Sequence, residues 1–127
     1  MEELLQTVVR AIDDKKGSDI VVLDISQVAS FTDYFVICTG TSTTQMQTVV
    51  DAVRERLRED GVRPLHMEGY KVAEWILLDY GSLVVHVFSS KARSFYDLER
   101  LWRDGRRLDV EDLLKAKPSQ TKQRKAK

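Results

Sequence analysis

Gly40-Thr41-Ser42 stands where an apolar run gives way to a helical pattern, a junction at which backbone amides can receive a phosphate. Metal-dependent chemistry on such a phosphate needs two or three carboxylates on a neighbouring strand, normally an acid-x-acid pair a short way downstream. The next acid is Asp51, followed by Ala52 and Val53; Asp24 is isolated and Asp79 falls in a turn. The paired acids are missing, and so are Walker, Rossmann and Ser-His-Asp patterns. The turn therefore reads as a helix cap before a phosphate cradle. No spacing joins the two histidines, His66 and His86, into a metal site. Cys38 lies in the apolar run Tyr34-Phe35-Val36-Ile37-Cys38 and reads as a buried inert thiol rather than a nucleophile. The expectation is a protein with no catalytic residues, no cofactor and no metal, working by binding.

The elements that position these residues belong to a chain of 127 residues, a length that fits one domain. A domain of this size buries roughly two-thirds of the surface of its unfolded chain, enough for a core without disulfides or metals. One cysteine excludes an internal disulfide and points to a reducing compartment. No stretch approaches the roughly 20 apolar residues of a membrane span. The opening Met1-Glu2-Glu3 argues against a secretory or transit signal, so a cytoplasmic location is expected. The formal charge of zero conceals a split: residues 115–127 carry six basic residues and no acid. Subtracting these from 20 basic residues leaves 14 against 20 acids in residues 1–114, a net of −6. We expect an α/β domain over 1–114 and a disordered basic tail over 115–127. An acidic domain is repelled by bare phosphate backbones and attracted to basic proteins. The tail could make a weak RNA contact through counterion release or serve solubility.

Leu4, Leu5, Val8, Val9 and Ile12 set a helical stripe over 2–16, stopped by Gly17. Residues 19–25 and 34–39 read as strands, the second broken by Gly40. Ser42 to Gln45 fits a capping box, opening a helix with the stripe Met46, Val49, Val50, Val53, Leu57 and ending at Gly61. A short edge strand fits 64–67, since Pro64 cannot donate to a ladder. Residues 74–80 and 82–89 are the clearest strands. A helix over 91–104 is expected with Phe95, Leu98, Leu101 and Trp102 as its stripe, then one more turn over 109–114. The order α-β-β-α-β-β-β-α predicts one mixed sheet with helices chiefly against one face.

With Tyr80-Gly81 as the centre of a tight hairpin, Asp79 pairs with Ser82, Leu77 with Val84 and Trp75 with His86. One face then carries Ile76, Leu78, Leu83, Val85 and Val87, uniformly aliphatic and bound for the core. The other carries Trp75, Leu77, Asp79, Val84, His86 and Phe88. Either helices cover that face too, or too few helices exist and an apolar patch with a polar rim is left as an interface, with Trp75 as its anchor.

The segments Asp33-Tyr34-Phe35-Val36-Ile37-Cys38-Thr39-Gly40-Thr41-Ser42-x-x-Gln45, Glu68-Gly69, Glu74-Trp75-Ile76-Leu77-Leu78-Asp79-Tyr80-Gly81, Val84-Val85-His86-Val87-Phe88 and Arg93-x-Phe95-Tyr96-x-Leu98-Glu99-x-Leu101-Trp102 resemble the ribosomal silencing factor (Iojap-like) family. The likeness runs in order from about Leu4 to Trp102, with residues 105–127 outside it. It implies a nucleotidyltransferase-like α/β fold without the metal-binding acids, and a factor that binds the large ribosomal subunit through protein uL14. Binding there would block joining of the small subunit and repress translation when nutrients are scarce. The resemblance also implies a homodimer when free. Carried onto this chain, the partner-binding residues are Trp75, Leu77, Asp79, Tyr80 and His86, with Arg93 and Tyr96 as flanking support. Trp75 and Leu77 would give apolar contact area, Asp79 would meet a basic side chain or amide, and Tyr80 would offer its ring and hydroxyl. The basic tail is not part of the family pattern. The alternative is a divergent nucleotidyltransferase-like nucleotide-binding protein or enzyme using 40–42; a weaker third reading is a nucleic-acid adaptor working through the tail.

Overall fold

A computed structural model describes residues 2–115, so the tail expected over 115–127 lies outside the described residues except for Lys115. The chain runs α1 (Glu2–Asp14), β1 (Ser18–Asp24), β2 (Tyr34–Gly40), α2 (Thr43–Glu59), β3 (His66–Glu68), β4 (Trp75–Asp79), β5 (Leu83–Ser89), α3 (Ser90–Tyr96), α4 (Leu98–Leu101), β6 (Arg106–Leu108) and α5 (Val110–Lys115). The strands form one six-stranded sheet in the order β3-β4-β5-β2-β1-β6. Only β2 and β5 run parallel, from Tyr34 opposite Leu83 to Gly40 opposite Ser89; every other neighbouring pair is antiparallel. The mixed sheet flanked by helices is the architecture expected from the sequence.

On one face, the stripes of α1 and α2 close over the aliphatic side of the sheet. Leu5, Val8, Val9 and Ile12 meet Val49, Val50, Val53 and Leu57 above Ile76, Leu78, Val85 and Val87, all fully buried. Each such side chain contributes roughly 1.5–3 kcal/mol over its exposed state. Leu113 of α5 joins the same cluster. Cys38 is fully buried there too, and burial pushes its thiol up to about 12, so no thiolate is available as a nucleophile.

One glutamine fixes how α1 and α2 meet. The Ser42 hydroxyl accepts from the Gln45 amide at 3.0 Å, capping α2. The Gln45 side chain reaches back one residue further than a capping box requires, its Oε1 accepting from the Thr41 amide at 2.7 Å and the Thr41 hydroxyl at 2.9 Å. Its Nε2 donates to the carbonyls of Lys15 and Lys16 at 3.2 and 2.8 Å, where α1 has just ended.

Three expectations change. The hairpin is a three-residue connection over 80–82: Asp79 faces Val84, Leu77 faces His86 and Trp75 faces Phe88, two residues out of the predicted register. A slip of two preserves side-chain parity, so the two faces keep the residues assigned to them. The helix expected over 91–104 is broken at Asp97, which takes the left-handed conformation (φ 50°) that a short acidic side chain tolerates better than most. The break turns the stripe: Leu98 is buried, but Phe95 and Leu101 are 78% and 72% exposed. Finally, Arg106–Leu108 forms a strand against β1 that was not foreseen.

Candidate functional site

The reverse face of the sheet is aromatic. Phe35 of β2, His86 and Phe88 of β5 and Leu23 of β1 are buried in a second, smaller cluster with Val84, Ala92 and Leu98. Trp75, Leu77 and Trp102 pack against it while staying partly open. The rings run as a row across the sheet. Tyr96 lies 4.7 Å from Trp75, Trp75 4.9 Å from Phe88, Phe35 4.5 Å from His86 in a T-shape, and Trp102 5.7 Å from both Phe35 and Phe31. These spacings lie in the favourable range for aromatic pairs. The short α3–α4 segment covers only part of this row, so neither alternative for the face holds outright: it is half roofed and half open.

Trp75 is fixed from two sides. Its carbonyl sits so close beneath Gly69 that a side chain at 69 would collide with it, and Gly69 itself needs a positive φ of 81°. Its indole Nε1–H donates to His86 Nδ1 at 3.1 Å. Acids bracket β4: Glu74 accepts from the Ser89 hydroxyl at 2.9 Å, and Asp79 Oδ1 accepts from the Gly81 amide at 2.8 Å, setting the turn. Leu77 and Asp79 are half-buried on the same side as Trp75.

Two of the expected partner contacts are placed otherwise. Tyr80 packs against the aliphatic cluster, away from Trp75, with its hydroxyl buried and without a hydrogen-bond partner among the described residues; burial pushes it up to about 12. It cannot offer that hydroxyl to anything docking beside Trp75. His86 is 3% exposed, enclosed by Phe35, Phe88 and Trp75, and cannot touch a partner directly. Burial drives its imidazole down to about 3, so it is neutral. Arg93 holds structure together, with a two-pronged bond to Glu99 at 3.1 and 2.8 Å and further bonds to the Thr39 hydroxyl and the Asp19 carbonyl. That pairing, above all the hydrogen bond, holds the Glu99 carboxyl below its ordinary range. Arg93 thereby anchors α3, which carries the half-exposed Tyr96.

The sequence reading missed the flank formed by Phe31, 60% exposed in the β1–β2 loop and edge-on to Trp102. An aromatic residue in a polar loop, Ser30-Phe31-Thr32, was the available signal.

The turn at 40–42 is occupied by the protein itself. Gln45 takes the Thr41 amide, Ser42 caps α2, and a side chain at Gly40 would strike Met46. Among the described residues no group of three or more His, Cys, Asp or Glu side chains is placed to hold a metal ion, and no helix is long and apolar enough to cross a membrane.

Comparison with known proteins points to one family. The family model described as ribosomal silencing factor during starvation matches residues 1–127, further than the motifs reached. Ribosomal silencing factor RsfS of Halalkalibacterium halodurans is 38% identical over 113 residues, covering 89% of this chain and 97% of that protein. A crystal structure of a protein from Chromobacterium violaceum superposes with a TM-score of 0.79 at 35% identity, covering 86% of this chain and 90% of that one. A more distant mouse relative, named mitochondrial assembly of ribosomal large subunit protein 1, is 30% identical over 101 residues, 77% of this chain and 44% of its own length.

Proposed function

Because this chain belongs to the ribosomal silencing factor family, we propose that it binds the large ribosomal subunit through protein uL14 and blocks joining of the small subunit, repressing translation when nutrients are scarce. The observation that carries the reading is the half-open aromatic face: Trp75, Leu77 and Tyr96 exposed in part, flanked by Phe31, on a domain with a net charge of −6 over residues 1–114. An indole set among packed rings and left accessible is a common interface anchor. The acidic domain complements a basic ribosomal protein and steers its approach. Docking on this face is steric work and asks for no catalytic group. In this reading Asp79 meets a basic side chain or amide, Tyr96 extends the apolar contact, and Arg93 acts by fixing α3. The name of the mouse relative, a large-subunit assembly protein, supports the choice of subunit.

The free chain is a homodimer in the same reading, and the basic residues of 115–127 add a weak contact to ribosomal RNA. Nucleotide binding at 40–42 is the poorer reading, since Gln45 already satisfies the amide a phosphate would use.

Sucrose-gradient sedimentation with separated subunits tests the proposal. The wild-type chain should travel with large subunits and keep small subunits from joining them, while Trp75→Ala and Asp79→Arg should remain at the top of the gradient with their fold intact. Full co-sedimentation of both variants would remove this face as the docking site.

A further inference from the structure

The reverse face contains one residue that its own surroundings do not explain. His86 lies in the middle of an aromatic and aliphatic cluster, 3% exposed, between Phe35 at 4.5 Å and Trp75 at 5.9 Å. Its Nδ1 receives the Trp75 indole N–H at 3.1 Å. An indole nitrogen only donates, so Nδ1 must be the unprotonated nitrogen and the ring proton of the neutral imidazole sits on Nε2. Nε2 is buried and has no hydrogen-bond partner among the described residues. A buried donor left unpaired is a cost that leucine or phenylalanine at the same position would not carry. The polar residue therefore weakens the packing around it while doing one visible thing, which is to hold the indole. Where a local rule is broken without a structural gain, function is the usual reason.

The geometry points to His86 as the positioning residue of the docking face. It fixes the rotation of the Trp75 indole and takes up its only polar atom. This inference rests on Trp75 being the docking anchor. Two consequences follow from the hydrogen bond alone. The indole meets its partner as a rigid ring with no donor to offer, so the matching group must be apolar or a cation lying over the ring face, never an acceptor aimed at Nε1. The ring is also ordered before binding, so the complex loses less rotational freedom on forming; removing the latch should weaken binding by about three- to tenfold. His86 itself touches nothing outside the chain.

The test uses the full chain in two steps. In the wild type, ¹⁵N NMR of the imidazole should show Nε2 protonated and Nδ1 in the unprotonated range while accepting from the indole. A protonated Nδ1 would overturn the proposal without any substitution. Then His86→Leu, which removes the acceptor, and His86→Asn, which returns an oxygen near the Nδ1 position, are compared. The readouts are the Trp75 indole N–H resonance (identified against Trp102→Phe) and affinity for large ribosomal subunits. His86→Leu should move the resonance toward that of a free indole and lower affinity three- to tenfold, with His86→Asn recovering much of both. An unmoved resonance and unchanged affinity in His86→Leu would overturn the latch. If the resonance moves as expected but Trp75→Ala binds like wild type, the docking site itself is refuted and the positioning role goes with it.

Discussion

Against α1 and α2 the sheet presents Ile76, Leu78, Leu83, Val85 and Val87, all fully buried; on its reverse, the same two strands present Trp75, Leu77, Val84, His86 and Phe88, of which Trp75 and Leu77 stay partly open. The β4 and β5 side chains buried on the first face are all aliphatic, and two long helices roof them. Among the described residues, the second face carries an imidazole with an unpartnered nitrogen and is roofed only by the broken α3–α4 segment. Branched aliphatic side chains interlock and leave no reason to move, which suits a face whose work is stability. Rings give large contact area with few rotatable bonds, which suits the docking role proposed for the second face. The comparison predicts that damage to the first face appears as lost stability and damage to the second as lost binding.

The largest effect should come from the first face. Leu78→Ala empties a fully buried site and should cost about 3 kcal/mol in chemical denaturation. The affinity of the molecules that remain folded should not change. A loss below about 1 kcal/mol would mean that this face relaxes around the cavity and is not the rigid half of the pair. Trp75→Ala should reverse the pattern, lowering affinity for large subunits by about 2 kcal/mol or more, roughly thirtyfold. Its stability loss should be smaller than that of Leu78→Ala, because part of the indole is already in water.

Both faces were readable from alternation along 74–89, and the reason is instructive. The hairpin connection was read too short, yet an error of two residues leaves every side chain on its own face. What could not be read was which parts of the second face would be roofed. That depended on Asp97 adopting a left-handed backbone, a state the helical stripe of Phe95, Leu98, Leu101 and Trp102 gave no hint of. It also depended on Arg106–Leu108, two arginines and a leucine that form a strand only because β1 has a free edge. The side of the sheet on which Trp75 and Leu77 lie could be read from the sequence because their spacing fixes it. Tyr80 and His86 could not be judged the same way, since burial is set by neighbours distant in the chain: Tyr80 by the aliphatic cluster under α2, His86 by Phe35.

A pH scan separates the faces next. His86 folds with its pKa driven from 6.5 to about 3 by burial, so the unfolded chain binds a proton that the folded chain refuses. The associated stability is fully present above pH 6.5 and falls as the pH drops below it, by up to about 1.4 kcal/mol per pH unit, or about 2 kcal/mol by pH 5. Glu99 has a lowered pKa and an ordinary value of 4.5, so its loss begins only at lower pH. His86→Leu should flatten the stability curve between pH 6.5 and 5, measured by urea unfolding. An unchanged slope in that window would show that the imidazole is not the group being charged.

Gly69→Ala should cost clearly more than about 1 kcal/mol, because the new side chain meets both an unfavourable φ and, well inside contact distance, the backbone carbonyl of Trp75. Its value to the comparison lies in where the strain goes. The displaced carbonyl belongs to Trp75, the proposed docking anchor, so affinity should fall alongside stability, whereas Leu78→Ala lowers stability alone.

The gentlest probe needs only one conservative substitution, Trp102→Phe, to isolate the Trp75 signal. Cys38 lies on the first face, fully buried and with its thiol pushed up to about 12, while Trp75 lies partly open on the second. In a Trp102→Phe background, iodoacetamide should label Cys38 only at the rate of global unfolding, because thiolate and access both require the helices to leave. Acrylamide should quench Trp75 in the native state under the same conditions. If Cys38 labels much faster than the chain unfolds, the helices over the aliphatic face open locally, and the division between a closed structural face and an open binding face is lost. If both probes respond only to unfolding, the aromatic face is sealed in solution, and a partner could reach Trp75 only after α3 and α4 had moved aside.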